Sequence, residues 1–241
     1  METQEGGMPA SPNKVSASRQ RSAATANFET RAHVLQVVSR CLDDIPLEKL
    51  SISTICERAG ISRPTFYRYF SDRYDVFNWL LRTNMTASIA QVGVKFPWRM
   101  AITKFCSSMD ANRGLASKYL ADRSAFSSYE KFIGYLQKAL LKSAALRYPS
   151  AEEVPLRIRF QAIAFSRAFA AAFADWLDGE KNHDISIDEF VDCSLSIVPS
   201  DLFALLDRDP DGSELTASSL QASDRSPLIE FVAEENPQTL E

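Results

Sequence analysis

The tightest local constraint in this chain is the run TICERAGISRPTFYRYF, Thr54 to Phe70. Gly60 lies in its middle, where the backbone takes a bend that a Cβ would hinder. Upstream, Ser51 is placed to cap a short helix reaching Arg58 by accepting a backbone N–H from its first turn. Downstream, Ser62 is placed to cap a second short helix, Arg63–Phe70. Pro64 falls in that helix's first turn, where a missing N–H costs little. Two short capped helices about a glycine turn make a helix-turn-helix. Ile55, Ala59, Ile61, Phe66 and Phe70 form the inward set. They close a small core with Val34, Val38, Cys41 and Leu42, whose spacing predicts a preceding helix over Glu29–Leu42.

The outward set is Ser53, Arg63, Pro64, Thr65, Tyr67, Arg68, Tyr69 and Arg73, and it suits double-stranded DNA. Arg63 begins the second short helix, the end that enters a major groove, and a guanidinium can bond guanine N7 and O6 together or a phosphate. Pro64 offers an apolar face to a thymine methyl. The Thr65 and Tyr67 hydroxyls reach phosphate oxygens. Arg73 adds a cation beside the amide donors of the next helix. From these residues alone, a surface helical hairpin with solvated arginines and half-buried tyrosines is an equal alternative.

The remaining chain reads as helical. Asp72 opens a long helix to about Ile89, its carboxylate well placed for the dipole. Pro97 opens another over Trp98–Asp110. Further helices are expected over Gly114–Arg123, Tyr129–Arg147 and Glu152–Leu177. Ile187–Leu206 is expected to form a last helix, kinked at Pro199. No alternating strand pattern and no 20–50-residue repeat appears, so the fold class is all-α. Residues 1–27 hold almost no large apolar side chains and are expected to be a disordered arm. The tail, 207–241, is expected to be largely disordered too. The boundaries that follow are a 28–71 head and a 72–206 body. The tail carries two basic and nine acidic residues, so the formal charge of -4 belongs to it and not to the head. An acidic mean therefore does not exclude DNA binding, because the charge at the contact face decides it.

LSISTICERAGISRPTFYRYFSDRYDVF, Leu50–Phe77, resembles the DNA-binding segment of TetR/AcrR-family transcriptional regulators. The matching places are Ser51, Ile55, Ala59-Gly60-Ile61-Ser62, Thr65-Phe66-Tyr67, Phe70 and Arg73. The resemblance implies three amino-terminal helices for DNA and about six more for ligand binding and dimerisation. It puts Ser53, Arg63, Pro64 and Arg68 where the family reads bases. Thr65, Tyr67, Tyr69 and Arg73 fall where it holds phosphates. Cys56 stands where Ala is usual, Tyr69 where His is frequent, and Arg73 where Lys is usual, which keeps charge but changes geometry. Tyr74-Asp75-Val76-Phe77-Asn78-Trp79 is also similar to the subgroup that includes regulators of dihydroxyacetone-kinase operons, some of which answer to a protein co-regulator.

In the body, Trp98, Phe105, Met109, Tyr119, Phe126, Tyr129, Tyr135, Phe165 and Trp176 are candidate liners of an effector pocket between helices. For each of them singly, plain core packing is the competing reading. FQAIAFSRAFAAAFADWL, Phe160–Leu177, is apolar nearly all round and must be buried. Ala164, Ala168, Ala171 and Ala172 allow close approach of a second helix. With Phe169, Phe190 and Leu195 they are the expected homodimer interface.

Enzyme chemistry finds little support. There is no glycine-rich phosphate loop and no nucleophile elbow. His33 reads as a packing residue, and His183 beside Asp184 and Asp188 as part of a solvated loop. No metal and no cofactor are expected. The cysteines, at 41, 56, 106 and 193, lack metal-finger or redox spacing and read as buried thiols. No apolar run approaches the roughly 20 residues a bilayer needs, and the start lacks the apolar centre of a secretory signal. The expectation is a cytoplasmic, non-enzymatic repressor. It would bind a near-palindromic operator as a homodimer and respond to a small-molecule or protein effector. A helical protein-interaction module, or a co-regulator-dependent activator with weak DNA binding of its own, is the alternative.

Overall fold

The computed structural model describes residues 12–121, 127–178 and 185–207, with side chains from residue 24 onward. Among the described residues ten α-helices follow one another: α1 Pro12–Asp44, α2 Ile52–Ala59, α3 Arg63–Tyr69, α4 Arg73–Ala87, α5 Trp98–Asp110, α6 Arg113–Ala121, α7 Ser128–Ala145, α8 Leu156–Leu177, α9 Ile187–Ser196 and α10 Ser200–Leu206. Short 3-10 turns lie at Leu47–Lys49, Ile89–Gln91 and Ala151–Glu153. Among the described residues there is no strand, and the fold is all-α.

Local side-chain hydrogen bonds set five of the ten described helix starts. Ser51 and Ser62 accept from the Thr54 and Thr65 amides at 3.1 and 3.2 Å. Asp72 accepts from the Tyr74 and Asp75 amides at 2.7 and 2.8 Å, satisfying two of the orphan donors at the start of α4. Ser186 and Glu189 form a reciprocal capping box at α9, and the Ser186 hydrogen bonds hold the Glu189 carboxyl below its ordinary pKa.

Three elements differ from the periodicity. α1 begins at Pro12 instead of Glu29, so residues 12–27 of the expected disordered arm are helical. Once the packed part of α1 is formed, each added residue of Ser, Ala, Arg or Gln costs little, because propagation is far easier than nucleation. The expected Glu152–Leu177 helix is broken at Pro155, whose ring disfavours helical backbone at Val154; α8 proper starts at Leu156. At Pro199 the chain does more than kink: α9 and α10 are separate helices. Phe126, His183 and the acidic tail beyond Asp207 lie outside the described residues.

The body is held by a ring cluster. Phe165, Phe169 and Phe173 of α8 follow one another at centroid distances of 5.7 and 5.8 Å. They meet Phe105 of α5, Phe132 of α7 and Phe190 of α9. In the head, Val34, Val38, Cys41 and Leu42 of α1 are buried with Ile55, Phe66 and Phe70. α4 belongs to both cores. Trp79 meets Phe28 and Phe70 of the head at 5.4 and 6.4 Å, while Phe77 stacks on Tyr119 of α6 at 4.9 Å.

Among the described residues two glycines have positive φ, Gly60 at 65° and Gly93 at 70°. A Cβ on Gly60 would meet nothing within 4 Å, whereas one on Gly93 would lie 2.7 Å from the Leu206 carbonyl oxygen of α10. Gly60→Ala is therefore expected to cost only left-handed strain, about 1–2 kcal/mol. Gly93→Ala carries the same strain plus a backbone clash and should cost more. Urea unfolding midpoints check this order, and equal or reversed costs would contradict the packing at Gly93.

Candidate nucleic-acid interface

The head's outer face is built by its own turn chemistry. Gly60 ends α2 in the left-handed conformation, and the Ile61 amide donates back to the Cys56 carbonyl at 3.0 Å. That closure satisfies carbonyls at the end of α2 and aims α3 away from the core. On α3, Phe66 is buried and Phe70 closes the helix at 1% exposure. Their burial fixes which face looks outward. Arg63, Pro64, Tyr67 and Arg68 share that face and are exposed, as is Ser53 of α2. Arg63 makes no hydrogen bond or ion pair to a described residue. Arg68 stacks over the Tyr69 ring at 5.0 Å and donates to the Tyr69 hydroxyl at 3.3 Å, which holds both side chains along the helix end.

Other candidates are less available. Thr65 and Tyr69 are half-buried. The Thr65 hydroxyl lies 2.8 Å from the Ser62 hydroxyl, within the cap of α3. Arg73 is half-buried and turned inward. It donates from Nη1 to the Leu50 carbonyl at 2.9 Å and from Nη2 to the Tyr74 hydroxyl at 3.3 Å, with its guanidinium over the Tyr74 ring. Its Nε is buried without a partner. This geometry makes Arg73 a brace between the turn before α2 and the start of α4. His33 is a packing residue as its place on α1 implies: Nε2–H donates to the Ala59 carbonyl at 3.1 Å, tying α1 to the end of α2.

Two residues that sequence reasoning did not place here complete the brace. Tyr119, a candidate pocket liner, donates its hydroxyl to the Arg73 carbonyl at 2.9 Å. Burial pushes its phenol pKa well up, so the donor proton is retained. Lys118 donates from Nζ to the Leu42 carbonyl in the last turn of α1, where a cation suits the helix dipole. Both contacts join residues far apart in sequence, and no local motif signals them.

The other expected pocket liners pack as core. Trp98 meets Phe165 and Phe203, Phe105 meets Phe132 and Phe173, and Trp176 stacks on Phe190 at 4.8 Å. Met109 and Tyr129 are buried and Tyr135 is half-buried. None of them lines the cleft of about 470 Å³ that lies between α6 and α8 beside Ser117, Lys118, Ala174 and Asp175. Of the expected dimer residues, Ala164, Ala168 and Ala172 are exposed, and Ala171 and Leu195 are half-buried. Phe169 and Phe190 instead point into the ring cluster, where they meet each other and Phe173. Cys193 is exposed, unlike the three other cysteines. Among the described residues no group of His, Cys, Asp or Glu is arranged to hold a metal, and no helix is long and apolar enough to cross a membrane.

Residues 36–79, from within α1 to the start of α4, match the model of bacterial regulatory proteins, tetR family. The chain is 25% identical over 136 residues to the HTH-type transcriptional regulator Mb2274c of Mycobacterium bovis, covering 52% of this chain and 67% of that one. It is 26% identical over 137 residues to the HTH-type transcriptional regulator EthR of Mycobacterium tuberculosis, covering 52% and 63%. In fold it is similar to the dihydroxyacetone kinase operon activator DhaS, with a TM-score of 0.50 at 13% identity over 74% of this chain and 98% of that one. The head is thus similar to the DNA-binding segment of bacterial regulatory proteins of the tetR family, and the relatives that share it are HTH-type transcriptional regulators.

Proposed function

We propose that the chain is a cytoplasmic repressor that binds a near-palindromic operator as a homodimer and is released by an effector held in its body. The observation that carries the DNA contact is the shared outward face of Arg63, Pro64, Tyr67 and Arg68, set opposite the buried Phe66 and Phe70. Arg63 opens α3 with its donors uncommitted, which suits bidentate reading of a guanine. Ser53 flanks it on the base-reading side, and the exposed Tyr67 offers a hydroxyl for a phosphate oxygen.

Pairing of two chains is assigned to α8. Its outer face carries Leu156, Phe160 and Ile163, exposed by 74, 68 and 39%, in line with Ala164, Ala168 and Ala172. An apolar stripe that long is unusual on a monomer surface. Isologous contact between two such helices buries it and sets two heads side by side. Effector action is assigned to the helices around Asn78 of α4. That residue is 1% exposed, and neither atom of its amide has a hydrogen-bond partner. A buried amide left unpaired costs about 1–3 kcal/mol, which a polar effector would offset. Because α4 also reaches the head, occupancy there shifts the spacing of the two reading helices.

Selection from a random duplex pool by the intact chain should enrich an inverted repeat; a pool left without any enriched sequence would defeat the proposal. Arg63→Ala should lose preference at one base position per half-site, worth about 1–3 kcal/mol. Its unfolding free energy should change by no more than about 0.5 kcal/mol. Arg73→Ala should behave oppositely, losing about 1–3 kcal/mol of stability as the Leu50 carbonyl loses its donor. Phe160→Glu should elute as a monomer in size-exclusion chromatography and no longer distinguish the inverted repeat from a single half-site. A dimer retained in that variant would remove α8 from the interface.

A further inference from the structure

We infer that the ligand held in the body is uncharged and mostly apolar, carries one group that both donates and accepts a hydrogen bond, and is gripped by Asn78 of α4 and Ser128 of α7. The inference rests on the effector reading above, to which it adds a second residue and a chemical class. Asn78 is 1% exposed, and neither the oxygen nor the nitrogen of its amide has a partner. Ser128 is fully buried at the start of α7, and its hydroxyl has no partner either. Buried polar groups are almost always paired, so two such orphans in one core mark a place suited to a polar partner. Other buried polar side chains of the body commit their donors to carbonyls. Asn84 donates to Leu80 at 3.0 Å, Ser143 to Ala90 at 3.4 Å and Ser166 to Ala162 at 2.7 Å. Trp98 Nε1 is also unpaired, but it opens α5, where its ring packs on Phe165 and Phe203.

The packing of α4 along α7 brings the two orphans to one end of the bundle. The bond from Ser143 to Ala90 joins the late part of α7 to the turn just after α4. Their first turns, with Ser128 and Asn78, therefore lie together at the other end, beside the head. Arg73, little more than one turn before Asn78 on α4, is bonded to the head at Leu50. A ligand seated on Asn78 thus acts on the helix that carries the head.

The surroundings select the ligand. No aspartate, glutamate, lysine, arginine or histidine is buried among the described residues. An organic ion would leave water without a buried counter-charge, at a cost well above that of an unpaired amide. The Asn78 amide offers both a donor and an acceptor, and the Ser128 hydroxyl does the same. Their complement is a carboxamide or an alcohol. Rings flank both residues. Phe77 stacks on Tyr119 at 4.9 Å, and Phe132, one turn after Ser128, stacks on Phe105 at 5.5 Å. The Tyr119 hydroxyl is already committed to the Arg73 carbonyl, so these rings offer apolar surface to the rest of the ligand.

The test uses the intact chain at neutral pH with five probes that share one ring: benzamide, benzyl alcohol, benzoate, benzylammonium and toluene. Benzamide and benzyl alcohol should raise the melting temperature in a concentration-dependent way. Toluene should raise it less, and the two ions should leave it unchanged. Asn78→Leu, similar in size and without polar atoms, should melt at or above the unsubstituted chain, because two unpaired atoms are removed. It should also lose the rise given by benzamide. Ser128→Ala should fold normally and show a smaller rise. An equal rise with benzoate or benzylammonium overturns the chemical class, and flat melting with every probe overturns the site. Asn78→Leu melting below the unsubstituted chain overturns it too, since the amide would then have partners that the fold needs. Melting raised by benzamide without loss of operator binding would support the ligand class and remove the release reading above.

Discussion

The structure depends on how α4 is gripped at its first two turns. The Arg73 side chain donates to Leu50 in the head, and the Arg73 carbonyl accepts from Tyr119 in the body. One residue is thus bonded to both domains, through different atoms. Six positions on, Trp79 fills the gap between Phe28 and Phe70, while Phe77 stacks on Tyr119. Lys118 adds a third link, from α6 to the last turn of α1. Burying a guanidinium costs several kcal/mol unless its donors and charge are satisfied. Arg73 offsets part of that cost with a carbonyl, a hydroxyl and a ring face, while its Nε stays unpaired. The arrangement survives only while all three stay in register, so α3 is aimed relative to the body and cannot swing freely on its turn.

Adjacent residues of α6 make two of these links, and one of them, Lys118, also lines the cleft with α8. A displacement of α6 by one hydrogen-bond length would break the contact to Leu42 or to Arg73, because packed interfaces have discrete arrangements and do not deform continuously. The head is therefore sensitive to α6 as well as to α4. The direct mechanical input to the reading face is the backbone of Arg73 and the end of α1, and both lie within hydrogen-bond reach of α6.

Local features were legible in the sequence. Ser51 and Ser62 cap the helices they were expected to cap, and Asp72, expected to open α4 as an acid suited to its dipole, caps it; such starts are decided by atoms within three residues. Gly60 is left-handed, as its place between two short helices required, and Trp98–Asp110 has the bounds its proline and apolar spacing implied. What sequence reading missed is long-range. The same apolar periodicity fits a ring facing a pocket, a ring in a core and a ring at an interface. Trp98, Phe105 and Phe169 therefore read as functional candidates until their neighbours from other helices were known. Arg73 shows the limit most clearly. Its position marked it as a phosphate ligand, but the Leu50 carbonyl, 23 residues earlier, holds its guanidinium inward. No pattern in sequence announces that a carbonyl at that distance lacks a partner.

The size of the reading surface explains why rigid aiming matters. α3 has seven residues and presents four of them outward. If each good base contact is worth about 1–3 kcal/mol, one such helix reaches only the lower part of the roughly 4–10 kcal/mol that separates specific from non-specific binding. Two heads joined by the proposed α8 pairing would double the base contacts, but only if both can engage at once. Simultaneous engagement requires the distance between them to be fixed, and that distance is set by α4, by Arg73 and by the aromatic wedge of Phe28, Trp79 and Phe70. A loose wedge would leave each head its phosphate contacts and lose the gain from pairing. Affinity would then persist while selectivity fell. Under the proposed function, specificity would accordingly be a property of the buried junction as much as of the exposed arginines.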